Sequence, residues 1–139
     1  MGVLLDGKAI AATVRAEVRA QVLDLASAGV VPGLAVLLVG DDPASAIYVG
    51  AKVKACAELG IRSVQVKLAV TATEAEVLAQ VDAWNGDPAI HGILVQLPLP
   101  PQVTTAAVLA RIRTDKDVDG FGAHNLGLLA AGRPQLVAC

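Results

Sequence analysis

Between Lys8 and Ala28, apolar side chains return every three or four positions, at Ile10, Val14, Val18, Val22 and Leu25, with Arg15, Glu17 and Arg19 between them. That period predicts an amphipathic helix that covers a core and is stopped by Gly29. The pattern then changes. Leu34 to Val39 (LAVLLV) is continuously apolar, bounded by Pro32, Gly33 and Gly40, and reads as a buried strand. Asp42 as N-cap and Pro43 at the first helical position open an alanine-rich helix that Gly60 closes. Ser63 to Leu68 alternates in part and makes a second strand. Thr73 and Glu76 have the spacing of a capping box for a helix from Glu74 to about Trp84, closed by Asn85 and Gly86. Ile90 to Leu97 (IHGILVQL) is a third strand with two apolar faces, Thr104 or Thr105 to Arg113 is a short helix, and TDKDVDGFG after it is turn chemistry.

A helix followed by repeated strand and helix predicts an α/β fold: an open, mostly parallel sheet with right-handed crossovers and helices on both faces, a three-layer α/β/α arrangement. Ligands in such sheets bind beyond the carboxyl ends of the strands. Residues just after Val39, Leu97 and the fourth helix are therefore expected on one rim.

Composition refines this picture. At 139 residues, 55% hydrophobic and 17% charged, the chain has the size of one domain spanning 1–139, and with aromatics at 2% its core must be aliphatic. The mean hydropathy is positive, but Pro98, Pro100 and Pro101 break the charge-free stretch between Asp87 and Arg111, so no membrane helix is expected there. A formal charge of −2 gives no general attraction to nucleic acid. In MGVLLDGK, Asp6 and Lys8 interrupt a signal-peptide apolar region and Asp6 spoils a myristoylation pattern, which makes the cytoplasm the expected location. Cys56 and Cys139 form neither a disulfide framework nor a CxxC pair and are read as reduced thiols.

Candidate chemistry starts at Tyr48 and Lys52, one helical turn apart, so that a phenol and an amine share a face. Most helical lysines only solvate a surface, and that reading stands beside the functional one. Lys54 lies about 160° around the helix from Lys52 and is expected to face solvent, with Lys52 at the edge of an Ile47, Ala51, Ala55 stripe. An amine held against such a stripe loses hydration, the condition under which lysine serves acid–base catalysis. Gln96 ends an apolar strand just before a proline-stiffened exit; it is either a buried amide satisfied by backbone or a group orienting a lysine or a bound heterocycle. Asp117 and Asp119 in KDVDG read by composition as a solvated turn. The segment lacks the donors of a calcium loop, and His91 and His124 have no partner spacing, so no metal site is expected. The Y-x-x-x-K pair also occurs in short-chain dehydrogenases, but the turn after the first strand is GDDPAS, whose carboxylates would repel a pyrophosphate, and GFGAHNLG follows no strand.

Three segments, VGDDPASAIYVGAKVKACAELGI (Val39 to Ile61), GILVQLPLP (Gly92 to Pro100) and KDVDGF (Lys116 to Phe121), together with the N-x-G-x-L of Asn125 to Leu129, resemble the N-terminal catalytic domain of the bifunctional methylenetetrahydrofolate dehydrogenase/methenyltetrahydrofolate cyclohydrolase family. The resemblance covers nearly the whole chain. It implies that Tyr48 packs on the folate ring system, that Lys52 is the essential lysine, that Gln96 holds and tunes it, and that Asp119 binds the pterin amino edge through charge-assisted bonds. Tyr48, Val49, Gly50, Ala51, Lys52, Val95, Gln96, Leu97, Pro98 and Asp119 are then the expected folate-binding positions. The implied chemistry is NADP-dependent oxidation of 5,10-methylenetetrahydrofolate to the methenyl compound and hydrolysis of the latter to 10-formyltetrahydrofolate. A fully charged ammonium at Lys52 would repel the cationic methenyl substrate.

The resemblance also implies tetrahydrofolate derivatives as ligands, a homodimer for the complete protein, a link to purine biosynthesis, no metal, and NADP bound by a C-terminal domain. Where the family runs through P-C-T-P into that domain, this chain reads Val137, Ala138, Cys139. The expectation is therefore a folate-side domain truncated before the nucleotide domain, with half of a cleft and no hydride transfer of its own. The alternative is an inactive folate-binding or oligomerisation fragment that needs the missing domain.

Overall fold

The central strand organises the layers. The computed structural model describes residues 5–137; the start of MGVLLDGK, and Ala138 and Cys139 at the other end, lie outside the described residues. Strand β1 (Gly33–Val39) pairs in parallel with β2 (Arg62–Leu68) on one side and β3 (Gly92–Val95) on the other, giving the order β2-β1-β3. Having a neighbour on each edge and helices on each face, β1 is buried along nearly its whole length, which is why it reads as an unbroken apolar run.

Successive β1 side chains serve opposite layers. Ala35, Leu37 and Val39 join Ile93 and Val95 of β3 in the larger core, which is completed by Val77, Val81 and Trp84 of α3 (Glu74–Gly86) and Val108 of α4 (Thr105–Arg111). Val36 and Leu94 face the other way and pack on Val49 of α2 (Pro43–Leu59). The three-layer α/β/α expectation holds. The caps are also where the sequence puts them: Asp42 accepts from the Ser45 N–H at 2.7 Å, Gly60 is left-handed at φ 82°, and Thr73 and Glu76 form both bonds of a capping box.

Two expectations need correction. Helix α1 (Gly7–Ser27) is not a covering helix of the sheet: Val22 alone is buried, while Ile10 and Val14 are 54% and 50% exposed. It is tied to α2, by Arg15 to the Glu58 carboxylate at 3.3 Å and by Arg19 to the Glu58 carbonyl at 2.7 Å. An apolar stripe says that a helix has a side to cover, not that the sheet covers it. Strand β3 is shorter than Ile90 to Leu97, although backbone bonds from His91 N to Gly33 O and from Gln96 N to Leu37 O, both 2.8 Å, flank it. Pro98 has no N–H with which to continue the ladder.

Among the described residues no helix is long and apolar enough to cross a membrane. Leu37→Ala, at a fully buried position, is expected to lower the unfolding free energy by about 3 kcal/mol in urea titration. Ile10→Ala, on the open side of α1, is expected to change it by no more than about 0.5 kcal/mol; a loss at Ile10 comparable to that at Leu37 would contradict the placement of α1 outside the core.

Candidate functional site

Three chain reversals bring the candidate residues to the carboxyl rim of the sheet. After β1, Gly40 turns at φ 93° while its N–H donates to Leu68 O at 2.9 Å, and Asp42 and Pro43 start α2 at that rim. The buried side of α2 is Ser45, Val49 and Cys56, with Val53 partly buried, and burial pushes the Cys56 thiol up from its ordinary range. The Ile47, Ala51, Ala55 stripe is not the packed face: Ile47 is 72% exposed and Ala51 is exposed too. Alanine and valine occupy much of the helix circumference, so periodicity could not choose the face; contact of Val49 with Val36 and Leu94 does. Lys52 is consequently half-buried, Lys54 is exposed, and Tyr48 stands out at 63% exposure.

Gln96 lies one residue beyond β3, held by its backbone bond to Leu37. Its side-chain Nε2 donates to the Leu97 carbonyl at 2.9 Å, and its Oε1 accepts from Lys52 Nζ at 3.1 Å. The two bonds fix the amide's sense, because a carbonyl can only accept and an ammonium can only donate. The following exit is clasped as well: the Gln102 amide donates to Val70 O at 2.7 Å and to Ala72 O at 3.0 Å. Of the other expected folate positions, Val49 and Val95 are buried in the core, Leu97 is partly buried, and Gly50, Ala51 and Pro98 are exposed.

Asp119 arrives from the third reversal. A parallel bridge between Ile93 and Asp117 lays the KDVDG segment beside β3, and Gly92 permits the approach: a Cβ there would lie 2.5 Å from Val118 Cγ1. Asp119 is half-buried. Burial pushes its carboxyl above the ordinary value of 3.8, the Lys52 charge pulls it back, and the Asp117 charge pushes it up again. Lys52 is thus hydrogen-bonded to Gln96 and electrostatically coupled to Asp119.

The solvated-turn reading of Asp117 is overturned: Asp117 is 3% exposed and accepts three hydrogen bonds, from Gly120 N at 3.1 Å, Gly122 N at 2.8 Å and Asn125 Nδ2 at 2.8 Å. Its neighbour Lys116, unremarked in the sequence, is also buried and donates to Trp84 O, Asn85 O and Asp87 O at 2.8, 3.0 and 2.8 Å. These carbonyls belong to the end of α3, where helical acceptors lack partners and a cation is favoured. Asn125 sits on α5 (Ala123–Ala130), a helix the turn-rich reading did not anticipate. The available signal was the N-x-G-x-L pattern, with an amide inside an otherwise apolar run. His91 accepts from the Gly33 N–H at 3.0 Å and so has a structural role, whereas His124 is exposed.

The turn after β1 does not fit a dinucleotide. Asp42 occupies the N-terminus of α2 and Asp41 pairs with Lys67, so carboxylates stand where a pyrophosphate would need bare N–H groups.

The fold is an open parallel α/β sheet that carries a lysine, an amide and a carboxylate beyond the carboxyl ends of its strands, and comparison with known proteins gives its family. Residues 5–119 match the family described as tetrahydrofolate dehydrogenase/cyclohydrolase, catalytic domain. The chain belongs to that family. It is 52% identical over its full length to the bifunctional protein FolD of Geotalea uraniireducens, of which it covers 50%, and so spans about half the length of the curated relatives it matches. Among solved structures, the FolD methylenetetrahydrofolate dehydrogenase/cyclohydrolase of Campylobacter jejuni superposes with TM-score 0.95 at 44% identity, covering 99% of this chain and 49% of that one. The Trypanosoma brucei enzyme complexed with NADP cofactor and inhibitor gives 0.89 at 34% identity, covering 97% and 46%.

A carboxyl raised by folding contributes stability below its ordinary range and loses it as pH rises through the folded-state value. Asp119→Asn should therefore gain stability relative to the unaltered chain between about pH 3 and pH 6, measured as the difference of two urea-unfolding series. A flat difference, or one of opposite sign, would remove the burial argument.

Proposed function

We propose that this chain supplies the folate-side catalytic residues of a methylenetetrahydrofolate dehydrogenase/methenyltetrahydrofolate cyclohydrolase. The observation that carries the reading is the 3.1 Å bond from Lys52 to a Gln96 amide that is itself oriented by the Leu97 carbonyl. In this reading Tyr48 offers its exposed ring to the folate, and Asp119 accepts from the pterin amino edge. Val49, Gly50, Ala51, Val95, Leu97 and Pro98 supply the surrounding backbone and walls. The Lys52 amine, directed by Gln96, manages the proton as water adds to the methenyl carbon and the ring C–N bond opens to 10-formyltetrahydrofolate. NADP+ is the hydride acceptor of the dehydrogenase reaction, and its binding belongs to the family's further domain. Residues 1–139 are then the folate-binding catalytic domain. The complete protein is assigned to the cytoplasm as a homodimer whose product serves purine biosynthesis.

The exposure of Tyr48, 63%, favours a second reading in which the cleft needs a further wall and these residues alone bind without turnover. Decay of methenyltetrahydrofolate without nucleotide separates the two. Lys52→Met should lower the enzymatic rate by at least about a hundredfold; equal decay in variant and parent overturns the catalytic reading. With methylenetetrahydrofolate and NADP+, the 139 residues alone are expected to yield no NADPH.

A further inference from the structure

The half-buried carboxylate of the KDVDG segment, Asp119, lies two residues beyond one that faces inward. Asp117 gathers the N–H groups of Gly120 and Gly122 and the Asn125 amide onto its two oxygens, so that the chain closes around Asp119 and continues into α5. Gly120 is left-handed at φ 70°, as the reversal between Asp119 and Phe121 requires. On the near side, Lys116 is fixed to the three carbonyls that end α3. The turn is therefore anchored on both flanks while Asp119 itself makes no side-chain hydrogen bond among those found in the described residues, which leaves its oxygens available for a ligand.

Resting on the folate reading of Asp119, we propose that Asp117 is a positioning residue: it fixes the turn that holds the Asp119 carboxylate toward the bound pterin edge, with Asn125 completing its set of donors. Its contribution to binding passes through Asp119. A residue serving only to stabilise the fold would weaken binding whether or not Asp119 were present, whereas a positioning residue loses its effect once the group it positions is gone.

The test is a double-mutant cycle on the protein expressed from its complete reading frame, with 5-formyltetrahydrofolate as the probe in titration calorimetry. Asp119→Asn and Asp117→Asn are each expected to weaken binding about tenfold, and the double variant to be no weaker than Asp119→Asn alone. Factors that multiply in the double variant assign Asp117 a structural role and overturn the proposal. If Asp119→Asn weakens binding and Asp117→Asn does not, positioning fails while the reading of Asp119 stands. If Asp119→Asn leaves the affinity unchanged, that reading fails and the proposal falls with it. Should Asp117→Asn not fold, Gly122→Ala disturbs the same carboxylate without removing it, because a Cβ there would lie 2.8 Å from Asp117 Oδ2. It must show the same non-additivity with Asp119→Asn, and multiplication of its effect is equally a refutation.

Discussion

The register between β1 and β3 is the constraint on which the site depends. Leu34 to Leu37 pair with Gly92 to Val95, and the next amide, that of Gln96, donates to Leu37 O. The same register brings Leu94 beside Val36, and the pair forms the surface on which Val49 of α2 rests. One ladder thus sets the height of Gln96 and the rotation of the helix that carries Lys52. The 3.1 Å contact between them, 44 positions apart in the chain, follows from sheet pairing and one packed valine rather than from local geometry. A parallel register slipped by one residue would exchange the two faces and turn Gln96 away.

The polar groups at the rim divide into fixed and available ones. Gln96 spends its N–H on Leu97 and its oxygen on Lys52. Asp117 is consumed by backbone and amide partners, and Lys116, at the opposite end of β3, by the carbonyls that end α3. Asp119 and Tyr48 keep theirs, one half-buried in an environment that disfavours its charge, the other open to solvent. Orientation is thus settled in the amide and the amine, while acceptor capacity is left unspent at the Asp119 carboxylate.

Where residue choice is governed by local rules, the sequence was readable. Asp42, Pro43 and Gly60 bound α2, Thr73 and Glu76 cap α3, and the unbroken apolar run of β1 announces a doubly covered strand. Reading failed where the answer depended on distant partners. Helix α2 is apolar on several sides, so only its contact with Val36 and Leu94 selects the buried one. Helix α1 shows a stripe, but it is bonded to α2 and leaves most of that stripe exposed. Asp117 looked like a solvated turn residue because charge normally seeks water, and its burial, like that of Lys116, became legible only with Asn125 and the end of α3 in place. The motifs pointed to Tyr48, Lys52, Gln96 and Asp119 as candidates. The bond of Lys52 to Gln96 and its interaction with Asp119 rest on sheet register and helix packing, which no motif spells out.

The most direct measurement is a crystal structure of the protein co-crystallised with 5-formyltetrahydrofolate. The account predicts the pterin lying at the carboxyl rim with its amino edge on Asp119, its ring against Tyr48, and Lys52 Nζ between Gln96 Oε1 and the one-carbon unit. A ligand bound elsewhere, or a Lys52 amine turned away from Gln96 with the folate in place, would contradict it.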